Sequence, residues 1–314
     1  MAQFETLMAA NKRNSVLLVI LFVLFICGLG ALLGWAIWGD WRMAIPSIVL
    51  ALAVSSVMAL VGYYAGPRAV LAMSGAQPVL REDDPQLYNI VDELRLASGL
   101  PMPALYVIET PAMNAFATGR DPGHAAVAVT RGLRDRLGRD ELQGVLAHEL
   151  SHVQNLDTRF MTLMAVLVGV VVLVSDIGLR SIFYGGGRRR SRGGGGGGGG
   201  AVMLIILLVA ILLAILAPVF AKLIQLAVSR QREFLADASA AHLTRYPEGL
   251  ARALEALASD TTEMPTASRA TAHLFIVQPM MARGRRAGGP GMWSSHPPID
   301  ERVRRLRTIG TLEA

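Results

Sequence analysis

The sequence is short of charge and almost without cysteine. Asp, Glu, Lys and Arg make up 17% of its 314 residues, against roughly 25% in an ordinary soluble domain. That shortage, beside an apolar share of 53%, disfavours a soluble enzyme, a disordered chain and a nucleic-acid-binding module. It suits a membrane protein that keeps a sizeable aqueous part. The one cysteine, Cys27, excludes an internal disulfide and a multi-cysteine zinc knuckle; set in an apolar run, it reads as a small hydrophobe facing lipid or a neighbour. The net charge of +6 gathers at Arg188, Arg189, Arg190 and Arg192, and again at Arg283, Arg285 and Arg286. No aromatic residues interleave with these arginines as a base-stacking platform requires. No nucleic-acid partner is therefore expected, and anionic lipid head groups are the more economical attraction.

What the sequence has in quantity is apolar runs. Residues 14–39 and 43–67 contain no charge, and each exceeds the roughly 20 residues needed to cross a bilayer. Trp35, Trp38 and Trp41 flank the link between them, and Tyr63 and Tyr64 lie near the end of the second, as in an interfacial aromatic belt. The first run is too long for a cleavable signal peptide, and a second follows at once. Residues 1–66 thus read as a transmembrane hairpin. A weaker run, 160–175, is followed by Asp176 and Arg180, four apart and read as a local ion pair. Residues 201–221 are long enough to span and contain Pro218, which membrane helices tolerate. Between them, 185–200 is a basic, glycine-rich, low-complexity segment.

Two polar blocks remain, 67–159 and 222–314, and the second apolar hairpin, 160–221, interrupts them as halves of one aqueous domain. In the first half, Asp84-Pro85 opens a helix with Leu87, Ile90, Val91 and Leu94 on one face. Short strands are predicted over 104–108, 114–118 and 125–130, then a helix capped by Asp140 and running to about Gln154. In the second half, helices are predicted over about 228–243, about 248–259 and from about Asp300. Lys12 and Arg13, against Arg42 in the short link, place the N-terminus in the cytoplasm, and both polar blocks with it. A crossing hairpin at 160–221 exports four arginines, either as a tolerated exception or because the hairpin does not fully cross.

The decisive string is His148-Glu149-Leu150-Ser151-His152. On a helix, positions i and i+4 share a face, so two imidazoles can bind one zinc from a single element. Glu149 stands where its carboxylate takes a proton from metal-bound water as that water attacks a peptide carbonyl. The longer form H-E-x-x-H-x-x-G-x-x-H is excluded, because Asn155 and Thr158 hold its glycine and last-histidine positions. A carboxylate from elsewhere is the expected third ligand. Glu233 and Asp237 form an i, i+4 pair that offers one group to zinc and the other to the outer nitrogen of a ligating histidine; a solvated helix face is the competing reading. His242 and Asp157 are weaker alternatives.

His148 to His152 followed by Val153-Gln154-Asn155-Leu156-Asp157-Thr158, then Arg232-Glu233-Phe234-Leu235-Ala236-Asp237-Ala238, and finally Trp293-Ser294-Ser295-His296-Pro297-Pro298, resemble the HtpX family of membrane zinc metalloproteases, relatives of the CAAX prenyl endopeptidases. The resemblance covers nearly the whole chain. It implies a mainly α fold with a small β-sheet, in which integral membrane helices accompany an α+β, zincin-like (gluzincin-type) catalytic domain. It implies one zinc per chain held by His148, His152 and Glu233, with Glu149 as base and Asp237 behind a ligand. It also implies a multi-pass protein of a bacterial inner membrane that degrades damaged or misfolded membrane proteins from the cytoplasmic side. Asn114, Ala115, Phe116, Ala117 and Thr118 resemble the family's edge strand beside the zinc, to which an extended polypeptide substrate adds through main-chain hydrogen bonds; a strand that only builds the sheet is the bland alternative. His296, in a proline-fixed loop, is a candidate donor to the developing oxyanion. Arg302 is a weaker candidate for a second donor, since one more arginine in a basic helix usually faces solvent.

Two other functions compete. An intramembrane protease is disfavoured by Arg134, Asp135, Arg136, Arg139, Asp140 and Glu141 around the motif. A zinc-binding transporter or scaffold without proteolysis needs polar residues within the spans, and 14–39, 43–67 and 201–221 have almost none. Glu149 also stands where a purely ligating site needs no carboxylate.

Overall fold

Charge-free runs become uninterrupted helices. The computed structural model describes residues 2–38, 40–167, 230–267, 271–277, 279–281, 285–286 and 297–312. Helix α1 covers Ala2–Trp38 and α2 covers Ala44–Met73, continuing through Pro67. Two stretches of them, Ala9–Leu32 and Ala44–Met73, are long and apolar enough to cross a membrane. Leu24, Val49, Leu50 and Val57 stand exposed on these helices, a surface that hydrocarbon covers without the cost water imposes. The chain divides into two compact units. One comprises residues 15–62 and 166–223; the other comprises 1–14, 63–165 and 224–314. The expected third and fourth apolar runs lie outside the described residues beyond position 167.

The second unit is built on a four-stranded sheet of order β1-β2-β4-β3, with strands Ala76–Pro78 (β1), Ala104–Ile108 (β2), Ala115–Gly119 (β3) and Ala125–Thr130 (β4). β2 and β4 run parallel, whereas β1 and β3 pair antiparallel with their neighbours. β3, at an edge, starts one residue later than predicted, because Asn114 is bonded to Thr130 outside the ladder. Helix α3 (Pro85–Ser98) begins as read from the sequence. Asp84 accepts from the Leu87 N–H at 2.9 Å, Pro85 fills the first turn, and Leu87, Ile90, Val91 and Leu94 are buried.

A short helix, α4 (Arg131–Arg136), leads to the motif helix α5 (Arg139–Gln154). Asp140 is not its cap, contrary to expectation. The cap lies two residues earlier, at Gly138, whose N–H donates to the Glu141 carboxylate at 2.8 Å. Asp140 and Glu141 instead lie in the first turn, where their charges oppose the positive end of the helix dipole. Residues 157–167 form α6, followed among the described residues by α7 (Arg230–Thr244), α8 (Pro247–Ser259), the ribbon β5 (Met280–Met281) and β6 (Arg285–Arg286), and α9 (Ile299–Leu312).

Close packing holds α5 in place. A Cβ on Gly144 would lie 2.7 Å from the Leu250 nitrogen, and one on Gly249 would lie 2.6 Å from the Asp140 carbonyl oxygen. The two glycines therefore let α5 and α8 touch backbone to backbone. Around that crossing, Leu142, Val145, Leu146 and Leu150 join Leu250, Leu254, Leu257, Ile90 and Leu94 in one core. This core fixes the helix face that carries the two histidines.

Candidate metal centre

Helical spacing brings His148 and His152 together on α5. Their rings lie 4.7 Å apart and nearly perpendicular, with the two Nε2 atoms 3.2 Å from each other. α7 packs against α5 and sets Glu233 between them, one carboxylate oxygen 3.9 Å from His148 Nε2 and the other 3.6 Å from His152 Nε2. One ligand atom from each of the three residues falls within 4.8 Å of the others, and all three residues are buried. One turn along α7, Asp237 Oδ1 lies 3.0 Å from His148 Nδ1.

The chain turns sharply to back the second histidine. Leu156 follows the end of α5 with φ of 60°, a left-handed conformation usually left to glycine at helix ends. That turn folds Asp157 back, so that its Oδ2 lies 2.9 Å from His152 Nδ1. Each imidazole therefore has a carboxylate at Nδ1 to receive its proton, which leaves its Nε2 lone pair facing the centre. For His148, the Asp237 contact at 3.0 Å takes that proton in preference to the Arg302 guanidinium at 3.4 Å, which has no lone pair to offer.

Two facing lone pairs at 3.2 Å repel unless a cation or proton lies between them. The surrounding charge favours a cation. Four buried carboxylates (Glu149, Asp157, Glu233 and Asp237) face two buried guanidiniums, Arg232 and Arg302, a formal excess of two negative charges. This donor set, of two imidazoles and a carboxylate within a cluster that carries that net negative charge, fits a divalent zinc ion. The same field acts on protons. Burial pushes His148 down to about 4, against the opposing pull of Asp237. Burial pulls His152 down as well, but Asp157, Glu233 and Glu149 outweigh it and bring it up to about 9. Burial holds the Glu149 carboxyl up at about 7, with the Glu233 charge adding to it and the backbone hydrogen bond from Ala117 opposing it.

Ala117 thus sits beside Glu149, but the rest of the predicted substrate strand is otherwise engaged. The Ala115 carbonyl accepts from the Ile276 N–H at 3.0 Å, and Asn114 Nδ2 donates to the Val277 carbonyl at 2.8 Å. Phe116 packs edge-to-face on Phe275 with centroids 5.1 Å apart. The first half of the β3 edge is therefore lined by residues 275–277. His242 is exposed and away from the cluster. His296 lies outside the described residues.

Arg302 overturns its sequence reading. It is 0% exposed and grips Asp237 with both arms, Nε to Oδ2 at 2.8 Å and Nη2 to Oδ1 at 2.7 Å. Its Nη1 lies 3.6 Å from Glu233. Burial works against its charge, but Asp237 and Glu233 more than compensate and raise its pKa. The signal was present in the sequence. Arg302 lies in the stripe of Ile299, Val303 and Leu306, and the latter two are buried, so the apolar face of α9 carries one cation inward. Asp157, Arg232 and Asn11 also join the cluster, and local spacing points to none of them in these roles.

Known proteins resemble this chain over most of its length. The family model described as peptidase family M48 matches residues 81–310. The chain is 42% identical over 304 residues to the Protease HtpX homolog of Listeria innocua, covering 96% of this chain and 98% of that one. It is 40% identical over 310 residues to the Protease HtpX homolog of Dictyoglomus turgidum, covering 98% and 95%. The crystal structure of S. mikatae Ste24p aligns with a TM-score of 0.46 at 18% identity, over 96% of this chain and 66% of that one. With a family model over most of its length and relatives of this identity from end to end, the chain belongs to peptidase family M48, among its HtpX-type metalloproteases.

Proposed function

We propose that the chain is a membrane-anchored zinc endopeptidase that hydrolyses peptide bonds of damaged or misfolded membrane proteins on the cytoplasmic side of a bacterial inner membrane. The observation that carries this reading is the convergence of buried His148, His152 and Glu233 within 4.8 Å. His148 and His152, through Nε2, and Glu233, through its carboxylate, would hold one zinc. Zinc so held supplies a Lewis acid that acidifies water and polarises a peptide carbonyl. Glu149 takes a proton from the attacking water on its carboxylate and delivers it to the leaving peptide nitrogen. Asp237 and Asp157 hold the Nδ1 protons of the two histidines and so their orientation.

A substrate strand would add beside Ala117, beyond the stretch lined by residues 275–277. Main-chain recognition there is indifferent to side chains, which suits unfolded polypeptides. In this reading residues 1–66 are the membrane hairpin, 67–159 and 222–314 are the two catalytic halves, and 160–221 is a second apolar hairpin.

Glu149→Gln is expected to retain zinc by metal analysis and to stop cleavage of casein or an unfolded membrane protein; undiminished cleavage would overturn the mechanism. Glu233→Ala is expected to lose the metal. For topology, Ser191→Cys on a Cys27→Ser background should react with an impermeant thiol reagent applied to intact cells. Labelling only after lysis would show that 160–221 does not cross.

A further inference from the structure

The support behind His152 reaches into α1. Asn11 is 1% exposed. Its Nδ2 donates to Asp157 Oδ1 at 2.6 Å and to the Asn155 carbonyl at 2.9 Å, while its Oδ1 accepts from Arg232 Nη1 at 2.9 Å. Turned over, the amide would set its oxygen against two acceptors and its NH2 against a cation, so the network allows one orientation. Asp157 is then held from both sides. Oδ2 takes the His152 Nδ1 proton, whereas Oδ1 takes Asn11 at 2.6 Å and Arg232 at 3.3 Å. A carboxylate gripped on one oxygen can still swing about its Cβ–Cγ bond, and that swing would carry the imidazole with it. Asn11 is the shorter of the two contacts that prevent it. Its bond to Asn155 also clasps the residue before Leu156, whose left-handed backbone makes the turn.

We propose that Asn11 is a positioning residue of the metal centre: α1, the helix that carries the apolar Ala9–Leu32 run, holds Asp157 in place and through it aims His152 at the metal. The proposal rests on the reading of His152 as a ligand. It makes metal retention depend on a residue of the candidate membrane anchor, 144 positions in sequence from the Asn155 carbonyl it grips.

The test uses the full chain in detergent, loaded with zinc or with cobalt(II) as a spectroscopic substitute. Asn11→Ala is expected to give up metal to a competing chelator about tenfold more readily, and to change the visible absorption of the cobalt form as its ligand field alters. Asn11→Asp keeps the oxygen facing Arg232 but lacks the donor to Asp157. It should show the same defect, and it carries the test if Asn11→Ala fails to accumulate. Lys12→Ala, at the exposed next position, should match the parent chain. A purely structural role for Asn11 would lower the thermal midpoint while leaving the chelator titration and cobalt spectrum of the folded protein unchanged; that result overturns the proposal. His152→Ala separates the two readings. If it loses metal while both Asn11 variants keep parent affinity, the present proposal fails alone. If it keeps full metal affinity, both fail.

Discussion

His148 and His152 are backed by the same succession of groups, imidazole to carboxylate to guanidinium, assembled in two different ways. Behind His148, Asp237 gives both oxygens to Arg302 at 2.7 and 2.8 Å, a fork between two regular helices, α7 and α9. Behind His152, Asp157 meets Arg232 through one oxygen at 3.3 Å, and the shorter hold comes from the neutral amide of Asn11 at 2.6 Å. The first support concentrates its strength in one bidentate ion pair. The second spreads it over a strained turn, an amide and a cation from separate parts of the chain. A fork fails when its cation goes, whereas a distributed support loses a little with each member.

Arg302 should therefore show the largest effect. Arg302→Met leaves Asp237 and Glu233 buried without their cation and is expected to cost about 3–5 kcal/mol, measured as a fall in the midpoint of thermal or denaturant unfolding. A cost under about 1 kcal/mol would mean that the fork is not what keeps those carboxylates inside. Zinc affinity probes the next level. Asp237→Asn and Asp157→Asn should each weaken it by about 10–100-fold in a chelator titration, with Asp237→Asn the worse of the two; the reverse order would break the comparison. A smaller contrast lies between lysine replacements. Arg302→Lys loses the two-armed geometry and should lower proteolytic activity clearly. Arg232→Lys, at a single 3.3 Å contact, should lower it less.

A pair outside the centre supplies the smallest effect. Asp84 caps α3 and binds Arg134 at 2.6 Å. Burial alone would raise its pKa, but the Arg134 hydrogen bond and the Leu87 N–H lower it below the ordinary carboxylate value of 3.8. Because the folded-state value is the lower one, the stabilisation is present above that ordinary pKa and is lost as pH falls through the folded one. Asp84→Asn keeps the cap and loses the charge. It should cost no more than about 1 kcal/mol at neutral pH, and its unfolding midpoint should converge with the parent's as the pH is taken below 3.8. A gap that persists in acid would assign the effect to something other than the charge.

The contrast between the two supports also separates what could be read in advance. Asp237 was legible because it stands four residues after Glu233 on one helix, so one spacing rule carries both. Arg302 was half legible: an arginine within an apolar stripe points inward, although a basic helix invites the opposite reading. Asp157 reads from the sequence only as an alternative ligand. It lies five residues beyond His152, on the wrong face of a continuing helix, and only the left-handed turn at Leu156 brings it back. Asn11 and Arg232 carried no signal for this role, because their hydrogen bonds to Asp157 cross 146 and 75 positions and leave no period in the chain. The Asp140 cap failed for a smaller reason. Gly138 started the helix early, and a glutamate three residues on did the capping work from the opposite direction.

Sequence alone determined whatever depends on neighbours a few residues apart: the long apolar helices, the α3 start, and the two imidazoles and one acid set on α5. Helical periodicity and side-chain chemistry are local, so spacing expresses them directly. Only the tertiary structure decided which distant acids and cations surround that helix face, that the start of the β3 edge is taken by residues 275–277, and that an asparagine of α1 stands behind a histidine of α5. Those outcomes follow from burial. Once four carboxylates leave water together, each must find donors wherever the packed chain offers them, and that choice belongs to the fold.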